Sequence, residues 1–212
     1  LGAIPQPFLG YFHFLPPHYP YKTHRDFFGR FEGDGWMPLE KPVDLFSQEK
    51  SVASLLKWRT WYDEYLLYAD REFGRLFKSL EESGLLDSTW VVFTSDHGEM
   101  FERGISGHTT PVLYQPVIRI PLLIFEPGRE TRLDIHPPTS AIDVLPTLLH
   151  ATGQEVPDWA EGTVLPPFSQ ASMPPDRSLF ALQAKNNDPY APLTQATALL
   201  VKGRHKLVYF TG

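Results

Sequence analysis

The chain has 212 residues, of which 42% are hydrophobic and 21% are charged, values that are ordinary for a globular protein and argue against wholesale disorder. Its formal net charge is −6 and no run of lysine or arginine stands out, so a nucleic-acid-binding role is not expected. Cysteine is absent, which excludes a disulfide framework, a thiolate metal site and a cysteine nucleophile within these residues; no apolar stretch is long enough to span a bilayer.

The first predicted element is a buried strand over Phe8–Leu15, a run that is almost wholly apolar. The proline-rich loop that follows cannot continue a strand ladder, and it places His18 just past the carboxyl end of the strand. A loop histidine without a task is an equally simple interpretation of His18 taken alone. Residues 26–48 show no steady period and are predicted to be an irregular excursion that faces the substrate.

A long helix is predicted over residues 48–82, because its apolar residues recur at spacings of three and four and form one stripe opposite the charged residues. Ser83–Gly84 supplies a C-terminal stop. The run Trp90–Thr94 is typical of a strand buried on both faces. A strand, a long helix and a second strand describe a crossover unit, which implies parallel strands.

Polar side chains follow the second strand at once. Asp96 and His97 lie where the strand ends, and in an open α/β sheet the ligand crevice lies outside the carboxyl ends of the strands. A carboxylate and an imidazole at that place predict ligands of a divalent cation. His108 follows eleven residues after His97, and with His18 it is predicted to donate to a bound oxyanion or leaving group. The simpler alternative is that Asp96 caps a turn and His97 is an ordinary surface histidine.

Other hydrolase arrangements do not fit. Ser95, Asp96 and His97 are adjacent, so they cannot form the line of nucleophile, base and orienting acid that a catalytic triad needs, and no Gly-x-Ser-x-Gly elbow is present. The sequence also lacks a phosphate-binding glycine loop and a His-Glu-x-x-His pair.

The remaining elements are a third buried strand, a second helix and a C-terminal set of strands. The helix is predicted over Thr139–Gly153, with Thr139 or Ser140 as N-cap and Pro146 in the first turn or at a kink. The strands are predicted at Arg119–Phe125, Ser178–Leu182, Ala196–Val201 and His205–Phe210. The fold predicted is α/β, with a mostly parallel sheet flanked by helices in residues 1–155, and a proline-rich linker and small antiparallel subdomain in residues 156–212.

These motifs, taken in order, resemble the sulfatase family of the alkaline-phosphatase-like superfamily. The resemblance implies a metal-dependent sulfuric ester hydrolase with a partial alkaline-phosphatase-like sandwich. It matches Asp96 and His97 to the downstream pair of metal ligands, His18 to a contact with substrate or leaving group, and His108 to a contact with the transferred group. The segments that carry it are Phe8–Phe14, Pro17–Tyr21, Tyr68–Asp70, Gly84–Thr89, Ser95–Glu99, Gly107–His108, Arg119–Leu122, Ile142–Leu148 and Gly203–Leu207.

The chain also departs from the family pattern. The upstream acidic metal ligands and the nucleophile, a formylglycine in sulfatases, have no match, so we expect a C-terminal portion of the catalytic domain that is inactive alone. His97 stands where many sulfatases have asparagine; calcium is implied by the family, with manganese or zinc as alternatives because imidazole suits softer ions. His108 in place of lysine leans toward a phosphodiesterase, phosphonate monoester hydrolase or phosphotransferase of the same superfamily.

Two further expectations concern the substrate and the class of protein. The family implies a small-molecule or glycan sulfate ester as substrate. A different class, a non-catalytic relative that uses the fold to bind a partner, is the second alternative; it predicts that no cation binds and that Asp96→Ala has no effect.

Overall fold

The computed structural model describes residues 4–169, 173–184, 188 and 190–211. The chain forms two compact units, one of residues 1–110 and 114–130 and the other of residues 111–113 and 131–212. None of the helices within the described ranges has both the length and the apolar character needed to cross a membrane.

A single long helix, α1 (Val52–Glu82), organises the first unit. Ser51 caps its start, since the Ser51 side chain accepts a hydrogen bond from the Ser54 N–H at 3.2 Å. Gly84 follows its end with a positive φ of 70°, a conformation that favours glycine. The predicted helix is therefore confirmed, with its start a few residues later than the apolar period suggested. At 31 residues it is about 46 Å long.

Four short strands and one helical turn follow α1 in the first unit. They are β1 (Val91–Thr94), β2 (Met100–Glu102), β3 (Ile105–Gly107), α2 (Gln115–Ile118) and β4 (Leu122–Phe125). β1 pairs with β4 in antiparallel fashion, and β2 pairs with β3 in the same way. Helix α1 packs on the β1–β4 pair through aromatic residues. The ring centroids of Phe73 and Phe93 are 4.7 Å apart, as are those of Phe77 and Phe125.

The β2–β3 hairpin was not predicted from the sequence. Its two-residue turn consists of Arg103 and Gly104, both with positive φ, at 56° and 76°, the combination that matches the twist of a two-stranded hairpin. Met100 and Ile105, at its two sides, are fully buried. The hairpin is thus anchored in the core of the first unit.

The strand predicted at Phe8–Leu15 is wrong: the structure has no strand there, and Leu9 and Tyr11 are 91% and 85% exposed. An apolar run becomes a strand only where a neighbour takes up its backbone hydrogen bonds, and no described strand lies beside it. The strand–helix–strand crossover is therefore not formed by the described residues, whose strand pairs are all antiparallel.

The second unit begins with the predicted second helix. A short 3-10 helix (Ala141–Asp143) leads into α3 (Val144–Ala151). Ser140 and Asp143 cap its start reciprocally, as predicted for Ser140, and Pro146 lies in the first turn of α3, where a missing N–H costs little.

Three strands complete the second unit: β5 (Ser178–Ala184), β6 (Ala196–Lys202) and β7 (His205–Thr211). They form one antiparallel sheet in the order β5-β6-β7. The predicted antiparallel arrangement of the C-terminal strands is confirmed. Where residues 156–175 are described they contain neither helix nor strand; the predicted boundary between residues 155 and 156 stays a prediction.

Candidate active site

The backbone turns sharply where β1 ends. The Ser95 hydroxyl donates to the His97 carbonyl at 2.9 Å, and Asp96 Oδ1 accepts from the His97 N–H at 3.0 Å. Gly98 N–H donates to the Val117 carbonyl at 2.7 Å, and a Cβ at Gly98 would overlap the Pro116 carbonyl oxygen. One oxygen of Asp96 thus serves the turn, as the simpler interpretation held, and only glycine fits at the next step of the chain.

Three of the predicted site residues are histidines that lie together. The rings of His97 and His108 are stacked, with centroids 3.6 Å apart and an angle of 30° between their planes. The His18 ring lies 6.1 Å from that of His108. Asp96 Oδ2 is 3.7 Å from His97 Nε2, and its side chain is 74% exposed. All four predicted residues therefore lie in one region beside the end of β1.

Glu99 was not among the site residues predicted from the sequence. Its Oε1 lies 2.7 Å from His108 Nδ1, and His97, Glu99 and His108 each offer a potential ligand atom within 4.8 Å of the others. Glu99 and His108 directly flank the hairpin ladder at its open end, just outside the Met100–Gly107 pair. The signal was the hairpin turn, which would have brought Glu99 next to His108.

The Glu99 carboxylate is almost completely buried, with only 6% of its side chain exposed. Its Oε2 is buried without a hydrogen bond of good geometry, although the Tyr21 hydroxyl interacts with the carboxylate electrostatically. Burial and then the Glu99 charge raise the pKa of Tyr21 above its ordinary value, and the same two causes raise the pKa of Tyr62 to about 12. The carboxylate thus sits beside the Tyr21 hydroxyl, which also acts on it as a hydrogen-bond donor.

The loop that carries His18 (residues 16–21, the His18 loop) packs against α1. The Tyr19 ring stacks on Trp58 with centroids 5.3 Å apart and planes 12° apart, and Tyr21 meets Tyr62 at 5.4 Å. These aromatic contacts bury apolar surface with defined geometry. They hold the loop on the helix beside the hairpin.

A buried glutamate on α1 fixes the segment just after that loop. Glu64 is 3% exposed, and its Oε1 accepts from the Gly29 N–H at 2.7 Å. Its backbone carbonyl accepts from the Thr23 hydroxyl at 3.0 Å. The same helix therefore supports both the His18 loop and, through Phe73 and Phe77, the strand that leads to Asp96.

The donor set is suited to a divalent cation. Asp96 offers an oxygen and His97 a nitrogen, and metal bonds of about 2.0–2.6 Å to each add up to more than the 3.7 Å between Oδ2 and Nε2. One ion could therefore contact both atoms. The imidazoles of His18 and His108 can donate hydrogen bonds to an anionic group close by.

Comparison with known proteins agrees with this picture. The family model described as Sulfatase matches residues 2–154. A choline-sulfatase of Rhizobium meliloti (strain 1021) is 29% identical over 217 residues, covering 92% of this chain and 41% of that protein. The solved phosphonate monoester hydrolase SpPMH from Silicibacter pomeroyi is 30% identical with a TM-score of 0.63, over 76% of this chain and 34% of its own.

A further solved structure, BT4656 in complex with its substrate D-glucosamine-2-N,6-O-disulfate, is 27% identical with a TM-score of 0.56, over 77% of this chain and 34% of its own. The chain thus spans about two fifths of the choline-sulfatase and a third of the two solved proteins. The structural likeness supports the alkaline-phosphatase-like fold. Because the family match covers most of the chain and includes His18, Asp96, His97 and His108, the chain belongs to the sulfatase family.

Proposed function

We propose that the protein to which this chain belongs is a metal-dependent sulfuric ester hydrolase. The observation that carries the proposal is the convergence of three histidines, with His108 3.6 Å from His97 and 6.1 Å from His18, in a chain of the sulfatase family. The activity is proposed for the whole protein, since the chain spans only 41% of the choline-sulfatase.

In this proposal Asp96 and His97 hold the cation. When bound, the cation would offset negative charge on the oxygens of the ester. His18 and His108 donate hydrogen bonds, His108 to the transferred sulfuryl group and His18 to the substrate or leaving group. These hydrogen bonds lower the activation free energy most when negative charge develops on oxygen in the transition state.

The nucleophile belongs to another part of the proposed enzyme. By family resemblance it is a formylglycine made from a Cys or a Ser, and the resemblance matches no residue of this chain to it; the 212 residues contain no cysteine. Calcium is the cation that the family resemblance implies. The His97 imidazole makes manganese and zinc the alternatives, because nitrogen ligands favour these softer ions.

The domain division and the sheet are part of the same proposal. Residues 1–155 are placed in the catalytic α/β domain, and residues 156–212 form a linker and a small subdomain; the end of the family match at residue 154 supports this boundary. The mostly parallel sheet of the domain would be completed by strands outside the described residues.

The substrate is proposed to be a small-molecule or glycan sulfate ester. The choline-sulfatase and the protein solved with a sulfated glucosamine support that range. The leaving group of the substrate is proposed to contact exposed apolar side chains of residues 26–48. These side chains include Met37, Leu39 and Leu45.

The test uses the full-length protein with an aryl sulfate as substrate. Calcium, manganese or zinc should raise the melting temperature, since a ligand that binds only the folded state at 100 times its Kd adds about 2.7 kcal/mol. Asp96→Ala and His97→Ala should remove both the rise and the release of sulfate. Asp70→Ala, an exposed aspartate on α1, is the matched control and should change neither.

A phosphonate monoester hydrolase is the second candidate. It is favoured by the 30% identity to SpPMH and by His108 in place of lysine. The ratio of kcat/KM for a phenyl phosphonate ester to that for the matching aryl sulfate decides between the two. No turnover of either ester and no thermal shift with any of the three cations would instead support the non-catalytic binding relative.

A further inference from the structure

We propose that Glu99 is a positioning residue that binds the His108 Nδ1–H and orients the imidazole, so that Nε2 is the nitrogen presented to the anionic group of the ester. The proposal deepens the proposed function and rests on it. It assigns a role to a residue that the family motif contains but that the resemblance left without one.

The first step is the contact itself. His108 Nδ1 lies 2.7 Å from Glu99 Oε1, the distance of a hydrogen bond between an imidazole N–H and a carboxylate oxygen. With Nδ1–H as the donor, Nε2 faces away from Glu99. Carboxylates that bind one imidazole nitrogen orient the ring in this way.

The hairpin restricts the positions of Glu99 and His108. Glu99 and His108 flank the pair Met100–Gly107, so they are cross-strand neighbours at the end of a two-stranded ladder. Met100 is fully buried. Gly107 has a φ of +97°, and a Cβ there would lie 3.6 Å from Glu99 Oε2, so the backbone passes close to the carboxylate. The hairpin thus limits the positions available to both side chains.

The third step is the environment of the carboxylate. Only 6% of the Glu99 side chain is exposed, against 23% for His108, so water competes poorly for this hydrogen bond and its geometry is well defined. One face of the His108 ring is stacked on the His97 ring. The imidazole is therefore held by a carboxylate at Nδ1 and by a ring against its face, and a shift of the order of 1 Å in such a group can cost about 100-fold in rate.

The experiment compares Glu99→Gln, Glu99→Ala and Glu102→Gln in the full-length protein, with an aryl sulfate as substrate. Glu102 is the matched control: it is a buried glutamate on the same hairpin, but it pairs with Lys41 at 2.9 Å. We expect kcat to fall about tenfold in Glu99→Gln and about 100-fold in Glu99→Ala, with KM little changed. Glu102→Gln should keep the parent kcat.

A double-mutant cycle separates positioning from general damage. If Glu99 acts through His108, then Glu99→Ala should have little further effect on kcat in a His108→Ala background. Effects that multiply would overturn the proposal, as would a Glu99→Gln variant with the parent kcat. Should Glu99→Ala fail to fold, the isosteric Glu99→Gln variant still decides the outcome.

The Nδ1 proton provides a readout that needs no turnover. In protein labelled with ¹⁵N-histidine, the His108 ring, assigned with His108→Asn, should show a protonated Nδ1, and Glu99→Gln should reduce that population. A parent ring without a proton on Nδ1 refutes the inference even if sulfate is released; a protonated Nδ1 in a protein that cleaves no ester leaves it standing while the hydrolase proposal fails. If Glu99→Gln instead removes the cation-induced thermal shift and leaves the Nδ1 proton unchanged, Glu99 is a metal ligand and the inference is wrong.

Discussion

Asp143 is the residue whose replacement should destabilise the second unit most clearly. It is 0% exposed and binds the Arg177 guanidinium with both oxygens, at 2.9 and 3.0 Å. It also accepts from the Ser140 N–H at 2.7 Å and the Thr163 N–H at 2.9 Å. The carboxylate therefore ties the start of α3 to two segments that follow it in the chain.

Asp143→Asn keeps the shape but removes the charge. The change leaves the Arg177 guanidinium, of which 14% is exposed, without its counter-ion. It also places an amide NH2 group, itself a donor, where the carboxylate accepted hydrogen bonds from N–H groups. Breaking a buried ion pair by removing one partner costs about 3–5 kcal/mol. For a chain of 212 residues that unfolds in one transition, this is a fall in Tm of about 6–20 °C.

Thermal unfolding followed by circular dichroism measures the effect, with Asp134→Asn as the control. Asp134 also pairs with an arginine, Arg132, at 2.7 Å, but the two side chains are 57% and 86% exposed, so its loss should cost less than about 1 kcal/mol. If the two variants melt at the same temperature, the reasoning from burial and convergent hydrogen bonds is refuted.

Three further predictions concern the first unit. Because the pKa of Tyr62 is raised to about 12, the folded state keeps a proton that the unfolded state releases above about pH 10. Through this group the free energy of unfolding should fall by up to about 3 kcal/mol between pH 10 and 12. Tyr62→Phe should make that slope shallower in denaturant titrations without removing it, since the pKa of Tyr21 is raised as well. Gly98→Ala should cost about 1–3 kcal/mol and abolish the cation-induced thermal shift, because its Cβ would overlap the Pro116 carbonyl. Gly74→Ala should raise the free energy of unfolding by about 0.5–1 kcal/mol in the same titrations, since Gly74 lies within α1 with open space around it.

The elements that the sequence predicted well are those whose signal is local. The apolar stripe of α1, the Ser140 cap and the alternating C-terminal strands each depend on near neighbours in the chain, and each is found in the structure. The strand at Phe8–Leu15 failed because a strand also needs a partner, which no local pattern supplies. The antiparallel pairing of β1 with β4 could not be predicted either, because an apolar run does not show in which direction its neighbouring strand runs.

The site divides in the same way. Asp96 and His97 could be found because they follow the apolar run that forms β1, and His18 and His108 because they match a family pattern. Glu99 was missed because its importance comes from a contact across the hairpin turn at Arg103–Gly104, and that turn was not predicted. The roles of the four predicted residues stay predictions until the cation and activity measurements are made.

The exposed run at Phe8–Leu15 has a practical consequence for anyone who prepares this polypeptide. It has neither charge nor proline, and Leu9, Tyr11 and Leu15 are 91%, 85% and 71% exposed, which is the composition of segments that stack into fibrils. Solutions should cloud on concentration, faster at high salt. A gatekeeper substitution such as Tyr11→Lys should extend shelf life without touching any residue of the proposed active site.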